Sequence, residues 1–197
     1  MKEINNRTTE YNINDQFLKR YSPRAFSGEL ITKDELMTLF DAARWAPSAS
    51  NIQPWRFIYA MQDTPEFDKL FSLLAEGNKI WCVKASVLVV TISSNIRIDK
   101  DGNKKDNPTH SFDTGSAWEN FALQASEMNF IAHGMAGFDY VKAKTDLGIP
   151  EDYSVEMMIA LGKPGKVEDL PEPLQSREAP SDRKPLSEIV FEGKFPE

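Results

Sequence analysis

The sequence predicts one domain of mixed helices and strands, and three stretches carry that expectation. Ser86-Val87-Leu88-Val89-Val90-Thr91-Ile92 is a short, nearly continuous apolar run, which suits a strand buried on both faces at the centre of a sheet. Thr32-Lys33-Asp34-Glu35 has capping-box spacing, and Leu36, Leu39, Phe40 and Ala43 follow at i, i+3, i+4 and i+7, as on an amphipathic helix. From Asp113 to Met128 the apolar positions Ala117, Phe121, Ala125 and Met128 keep helical spacing, with Trp118, Ala122 and Leu123 widening the face.

Length and composition agree with one unit spanning 1–197. A chain of 197 residues can bury roughly 70% of the surface its unfolded form exposes. Hydrophobic residues at 41% and charged residues at 27% are ordinary globular usage, which argues against disorder or a fibrous architecture. The net charge of -7 argues against nucleic-acid and anionic-membrane partners, because both attract basic faces. A few arginines can still build a local pocket for a small anion. Cys82 is the only cysteine, so no intrachain disulfide and no cysteine-based zinc site can form, and a reducing compartment fits. Met1 to Glu10 is polar, unlike a signal peptide, and the longest apolar runs are a few residues; a cytoplasmic protein is the expectation.

After a polar lead over 1–12, the capped helix should stop near Trp45, because Pro47 disfavours helical geometry in the residue before it. Pro47 to Pro54 then reads as a loop, and Trp55, Phe57, Tyr59 and Met61 alternate as on a half-buried strand. Pro65 to Leu74 and Asn78 to Val83 suit short helices ahead of the central strand. Asn95 to Ser111 is polar and reads as an exposed excursion or a mobile lid. The Asp113 helix is either a central core helix or one shared with a second subunit. Phe130 to Phe138 suggests a strand ending in Gly134-Met135-Ala136-Gly137, with Asp139 an N-cap and Gly148 a stop for the next helix. Val155, Met157, Ile159 and Leu161 alternate as a final strand. Prolines spaced among charges from Pro164 onward predict an extended arm over 163–197, with regular structure not expected before Leu186.

Two clusters could carry chemistry. Arg20-Tyr21-Ser22-Pro23-Arg24 sets two guanidinium groups around a hydroxyl, a group that can hold a phosphate or can simply be solvated. Ser48-Ala49-Ser50-Asn51-Ile52-Gln53-Pro54-Trp55 offers amides and hydroxyls suited either to a polar heterocycle edge or to a capping loop. No G-x-G-x-x-G fingerprint is present. His110 and His133 match no motif, and structural roles are expected for both.

In combination, Arg-x-Ser-x-Arg, a helix ending in Ala-Pro-Ser, and Asn-x-Gln-Pro-Trp resemble the FMN-dependent nitroreductase family. Asn78 with Trp81, the Gly134 to Phe138 turn, and Arg183 before Lys184-Pro185-Leu186 extend the resemblance over nearly the whole chain. The resemblance implies an α+β fold: an α-β-α sandwich with a central mixed, mainly antiparallel sheet, a long core or interface helix, and an intertwined homodimer. It implies FMN as cofactor, with Arg20, Ser22, Arg24 and Arg183 at the phosphate and ribityl chain, and Tyr21 in the same segment. Asn78 would face the pyrimidine side, and Met135, Ala136 and Gly137 would form the turn near flavin N5, with backbone amides approaching it. Pro47, Ser48, Ala49 and Asn51 would reach the flavin of the neighbouring subunit. No side chain is then catalytic. NADH or NADPH would deliver hydride in a ping-pong cycle to a small-molecule acceptor such as a nitroaromatic or quinone. Two departures stand out: Ser181 replaces a basic residue of some relatives, and Ala136 an acidic one. The alternatives are a flavin carrier or sensor without turnover, or a relative specialised for reductive dehalogenation, flavin fragmentation or azoline oxidation.

Overall fold

The structure is a computed structural model that describes residues 2–196. A short hairpin of β1 (Lys2–Ile4) and β2 (Arg7–Thr9) leads into α1 (Gln16–Lys19) and α2 (Lys33–Arg44). There follow β3 (Trp55–Met61), α3 (Pro65–Ser72), α4 (Glu76–Cys82), β4 (Val87–Ser94), β5 (Ile96–Ile98) and β6 (Lys104–Asp106). The chain continues through α5 (His110–Glu127), β7 (Ile131–Met135), α6 (Tyr140–Asp146), β8 (Tyr153–Gly162) and α7 (Glu172–Gln175).

The main sheet has the order β3-β4-β8-β7, and each of its pairings among the described residues is antiparallel. Strand β4 lies inside it and is buried along its whole length, as its apolar run predicts. Alternation then sorts the strand residues between two layers. Val87, Val89, Ile159 and Leu161 pack with Leu36, Leu39 and Ala43 of α2 and with Ala117, Phe121 and Ala125 of α5. Leu88, Val90, Met158 and Ala160 pack on the opposite face with Phe67 and Leu70 of α3, Trp81 of α4 and Ala143 of α6. The result is the expected α-β-α sandwich. Each fully buried Val or Leu of β4 contributes about 1.5 to 3 kcal/mol.

Local signals end the elements where they were expected. Thr32 Oγ1 accepts from Glu35 N while Glu35 Oε2 accepts from Thr32 N, closing the capping box of α2, and Trp45 is its C-cap. Asp139 caps α6 by accepting from Lys142 N, and Gly148 beyond it takes a φ of 63°. A bulge in β8 opposite Thr91 and Ile92 leaves Glu156 as the extra residue, since Thr91 pairs with Met157 and Ile92 with Val155.

Three stretches carry more structure than their polarity suggested. The lead over 1–12 forms the β1–β2 hairpin, turning at Asn5 and Asn6 with φ of 55° and 59°, a left-handed pair that short asparagine side chains tolerate. The 95–111 excursion contains the β5–β6 hairpin, whose tip is tied by Asp99 Oδ1 accepting from Asp101 N and Asn103 N. The arm packs as far as Glu178, with α7 and a 3-10 turn at Val167–Asp169 ahead of Leu186, because Leu170 and Glu178 are buried against the domain. From Ser181 to Pro196 every residue is exposed.

Candidate active site

Helix α1 ends at Arg20, and the chain then runs extended toward Phe26. Arg7, only 6% exposed, organises this region from the N-terminal hairpin. Its Nη1 donates to the carbonyls of Leu18 (3.1 Å) and Arg20 (2.7 Å), and its Nε donates to Ser181 O (3.0 Å). Arg183 Nη1 donates to the same Ser181 oxygen at 3.2 Å and to Ser181 Oγ at 3.2 Å. Arg20 Nη1 reaches Ser22 Oγ at 3.4 Å, and its Nε lies 3.8 Å from Glu119 Oε1. Arg20 and Arg183, from opposite ends of the chain, are thus drawn toward one another around Arg7. Burial, and then the charges of Arg183 and Arg20, push Arg7 below the usual arginine value.

Arg24 is committed differently. Glu178 is buried, and its Oε1 accepts from Arg24 N at 2.6 Å and Ala25 N at 2.7 Å. The Arg24 guanidinium lies 3.8 Å from Glu178 Oε2 and donates to Arg177 O at 3.2 Å, so its charge is answered within the chain. Burial, and then the Glu178 carboxylate, hold the Tyr21 phenol above its ordinary pKa.

From this segment a line of contacts leads to the glycine turn. His133 Nδ1 stands 2.9 Å from Pro23 O, which requires the proton on Nδ1, and the imidazole lies against the Trp81 ring with centroids 4.7 Å apart. Burial lowers the His133 pKa below its ordinary value. One turn before Trp81 on α4, Asn78 Nδ2 donates to Gly137 O at 2.9 Å, and Ala75 N donates to the same oxygen at 3.0 Å. A β-carbon at position 137 would stand 2.7 Å from Asn78 Nδ2, so only glycine allows this approach. Beside it, Ala136 is exposed, while Met135 is buried with its sulfur 3.5 Å from Cys82 Sγ.

The structure therefore joins Arg20–Arg24, Asn78 with Trp81, the glycine turn and Arg183 by a chain of contacts, and the Pro47–Asn51 loop stands apart. Pro47, Ala49 and Asn51 are exposed and Ser48 is half-buried, while Ser50, Asn51 and Gln53 have φ of 50°, 55° and 53°. The loop is held by Ser48 Oγ accepting from Gln53 N (3.0 Å) and by Ala49 N donating to Asp113 Oδ2 (3.1 Å). No hydrogen bond, ion pair or ring contact among the described residues links it to Arg20–Arg24 or to Asn78–Gly137.

Sequence reasoning missed Arg7 and Glu178. The Asn5-Asn6 pair signalled a hairpin that would carry Arg7 back onto the domain, whereas nothing local marks Glu178. His110 also gains partners: its Nδ1 lies 2.7 Å from Ser93 Oγ and 3.4 Å from Glu156 Oε1. Glu156 accepts from Ser93 and, at 2.7 Å, from Ser111. A nucleophilic relay needs its hydroxyl and carboxylate on different ring nitrogens, and here both meet Nδ1, so Ser93 is not activated that way.

A sequence profile of the nitroreductase family matches residues 18–80, the stretch from α1 to Asn78 and its neighbours. A solved structure described as an oxidoreductase containing FMN superposes with a TM-score of 0.96 at 45% identity, covering 100% of this chain and 99% of that one. A Bacillus subtilis protein named "Putative NAD(P)H nitroreductase MhqN" is 28% identical over 203 residues, covering 87% of this chain and 94% of its own length. Protein DrgA of Synechocystis is 28% identical over 188 residues, covering 80% of this chain and 85% of its own. The α-β-α sandwich and its superposition on that FMN-containing protein place the chain in the class of FMN-containing oxidoreductases. The chain belongs to the nitroreductase family.

Proposed function

We propose that this protein is an FMN-dependent NAD(P)H oxidoreductase, a reading carried by the continuous line of contacts from the Arg7–Arg20–Arg183 cluster to the Asn78–Gly137 turn. The residues present fit such a group at both ends. Guanidinium donors from two chain segments converge where a phosphate dianion would neutralise them. At the other end the Asn78 amide is fixed on the Gly137 carbonyl, filling the space a β-carbon there would need, and the adjoining Ala136 is exposed, offering the turn's backbone to a flat ring system.

Bound FMN would supply the redox chemistry, accepting hydride at N5 and passing electrons to an acceptor. Arg20, Ser22 and Arg183 hold the phosphate and ribityl chain, with Arg24 and Tyr21 lining the same segment through the Glu178 clamp. Asn78 reads the pyrimidine edge, and the Met135–Gly137 backbone lies against the ring. Pro47, Ser48, Ala49 and Asn51 close the flavin of a second subunit in a homodimer. That assembly is supported by Leu186 (51% exposed), Ile189, Val190 and Phe195 (81% exposed), apolar side chains left exposed on the part of the arm beyond Glu178. NADH or NADPH and a nitroaromatic or quinone acceptor would use one pocket in turn. Residues 1–197 act as one domain, in the cytoplasm; no helix among the described residues is long and apolar enough to cross a membrane.

The test is the absorbance spectrum of purified protein after addition of FMN, followed by anaerobic titration with NADH and NADPH. Uptake of a flavin that either nicotinamide bleaches is the expected result. Protein that takes up no FMN overturns the reading, and bound flavin that neither donor bleaches replaces it with a carrier or sensor.

A further inference from the structure

We infer that Arg7 is a positioning residue for the anionic end of the cofactor site, fixing Arg20 and Arg183 in place and adding a third positive charge behind them; this rests on the FMN reading above. Three bonds carry the inference. Arg7 Nη1 holds the carbonyls of Leu18 and Arg20, which fixes the point where α1 ends and the Arg20 side chain departs. Arg7 Nε holds Ser181 O, the oxygen that also receives Arg183 Nη1, so two guanidinium groups from opposite ends of the sequence share one acceptor. The planar fork of arginine is what lets one side chain span both segments, and a lysine ammonium could not reproduce that geometry.

The electrostatics point the same way. Arg183 and Arg20 each act on Arg7 more strongly than the opposing Asp182 carboxylate, so the cluster forms a locally positive surface on an acidic protein. Glu119 lies 3.8 Å from Arg20 and is half-exposed. No carboxylate lies within ion-pair distance of Arg7 or Arg183 among the described residues. Holding Arg7 buried in this setting costs folding energy that an anion at the cluster offsets. A purely structural arginine at a hairpin base would be indifferent to whether the ligand carries a phosphate.

Riboflavin, which is FMN without its phosphate, separates the two roles. Apo-protein is titrated with FMN and with riboflavin, following flavin fluorescence, for the wild type, Arg7→Met and Arg7→Lys. The wild type should prefer FMN; Arg7→Met should lose about tenfold or more in FMN affinity with riboflavin affinity changed less than about twofold, as expected for one charge-assisted contribution. Arg7→Lys should fall between. Equal weakening of both flavins, or of neither, overturns the role while leaving the FMN reading intact. If Arg7→Met does not fold, the same two titrations on Arg7→Lys decide. A wild type that binds neither flavin overturns the FMN reading itself.

Discussion

Asn78 and Gly137 form an interlocked pair: the Asn78 amide donates to the Gly137 carbonyl at 2.9 Å, and the same nitrogen occupies the space that a β-carbon on residue 137 would need, 2.7 Å away. The pair ties α4 to the turn after β7 across the edge of the sandwich. It also fixes how the backbone of that turn is presented.

Gly137→Ala should force the Asn78 side chain to rotate away, because the obstructing atom is the end of a flexible side chain and the backbone is the fixed partner. The expected cost is about 1 kcal/mol for the lost hydrogen bond, with weaker flavin uptake. Asn78→Ala should cost a similar amount, and the double variant little more than either single one, since both changes remove one interaction. Thermal melts of the four proteins measure this. Strictly additive losses would show that the two residues act independently.

Much of this arrangement is legible in the sequence, and the reason is locality. The capping box of α2, the stop before Pro47 and the uniform burial of β4 each depend on residues within a few positions of one another. The Asn5-Asn6 pair signals a hairpin but not what Arg7 meets there, and Glu178 has no local signal, because decisive partners are main-chain groups far along the chain: Ser181 O is 174 positions from Arg7, and Arg24 N is 154 from Glu178. No side-chain pattern advertises a backbone partner. The β5–β6 hairpin was hidden for a different reason: Lys104, Lys105 and Asp106 are all exposed, so no apolar alternation betrays a strand.

Arg20→Ala should leave the fold intact, since the Arg20 contacts that order the chain run through its carbonyl rather than its guanidinium. What it removes is a charged donor set weakly engaged by Glu119 and Ser22. FMN affinity should fall by about tenfold to a hundredfold, the equivalent of roughly 1.5 to 3 kcal/mol for a charge-assisted bond. Equilibrium dialysis against FMN checks it. Unchanged affinity removes Arg20 from the phosphate site.

Asp113→Ala should loosen the 47–53 loop. Asp113 is 5% exposed and its carboxylate accepts from both Ala49 N and Thr109 Oγ1; its loss takes away the partner of Ala49 N, while Thr109 Oγ1 keeps Asn107 Oδ1, at a cost of about 1 kcal/mol. Three residues of that loop already hold left-handed backbone angles that depend on the surrounding contacts. Limited proteolysis should therefore cut between residues 47 and 53 faster in the variant. An unchanged cleavage pattern would mean that the loop is held by its own turn and not by α5.

His133 sets a pH dependence whose sign follows from its surroundings. Burial lowers its folded-state pKa below the ordinary 6.5; the Arg24 charge also lowers it, and the Pro23 carbonyl opposes both. The unfolded chain takes up a proton near pH 6.5 while the folded chain still refuses it, so below that pH the unfolded state binds more protons. The stability contributed by neutral His133 is complete above about pH 6.5 and is lost as the pH falls from there toward the folded-state value. Urea midpoints at pH 7.5 and 5.5, compared between wild type and His133→Gln, isolate this residue, because every other titrating group is common to both. The wild-type midpoint should fall further on acidification than that of the variant, whose amide can still donate to Pro23 O but cannot titrate. Equal falls would mean that the imidazole is protonated in the folded state without penalty, and that its contact with Trp81 tolerates the charge.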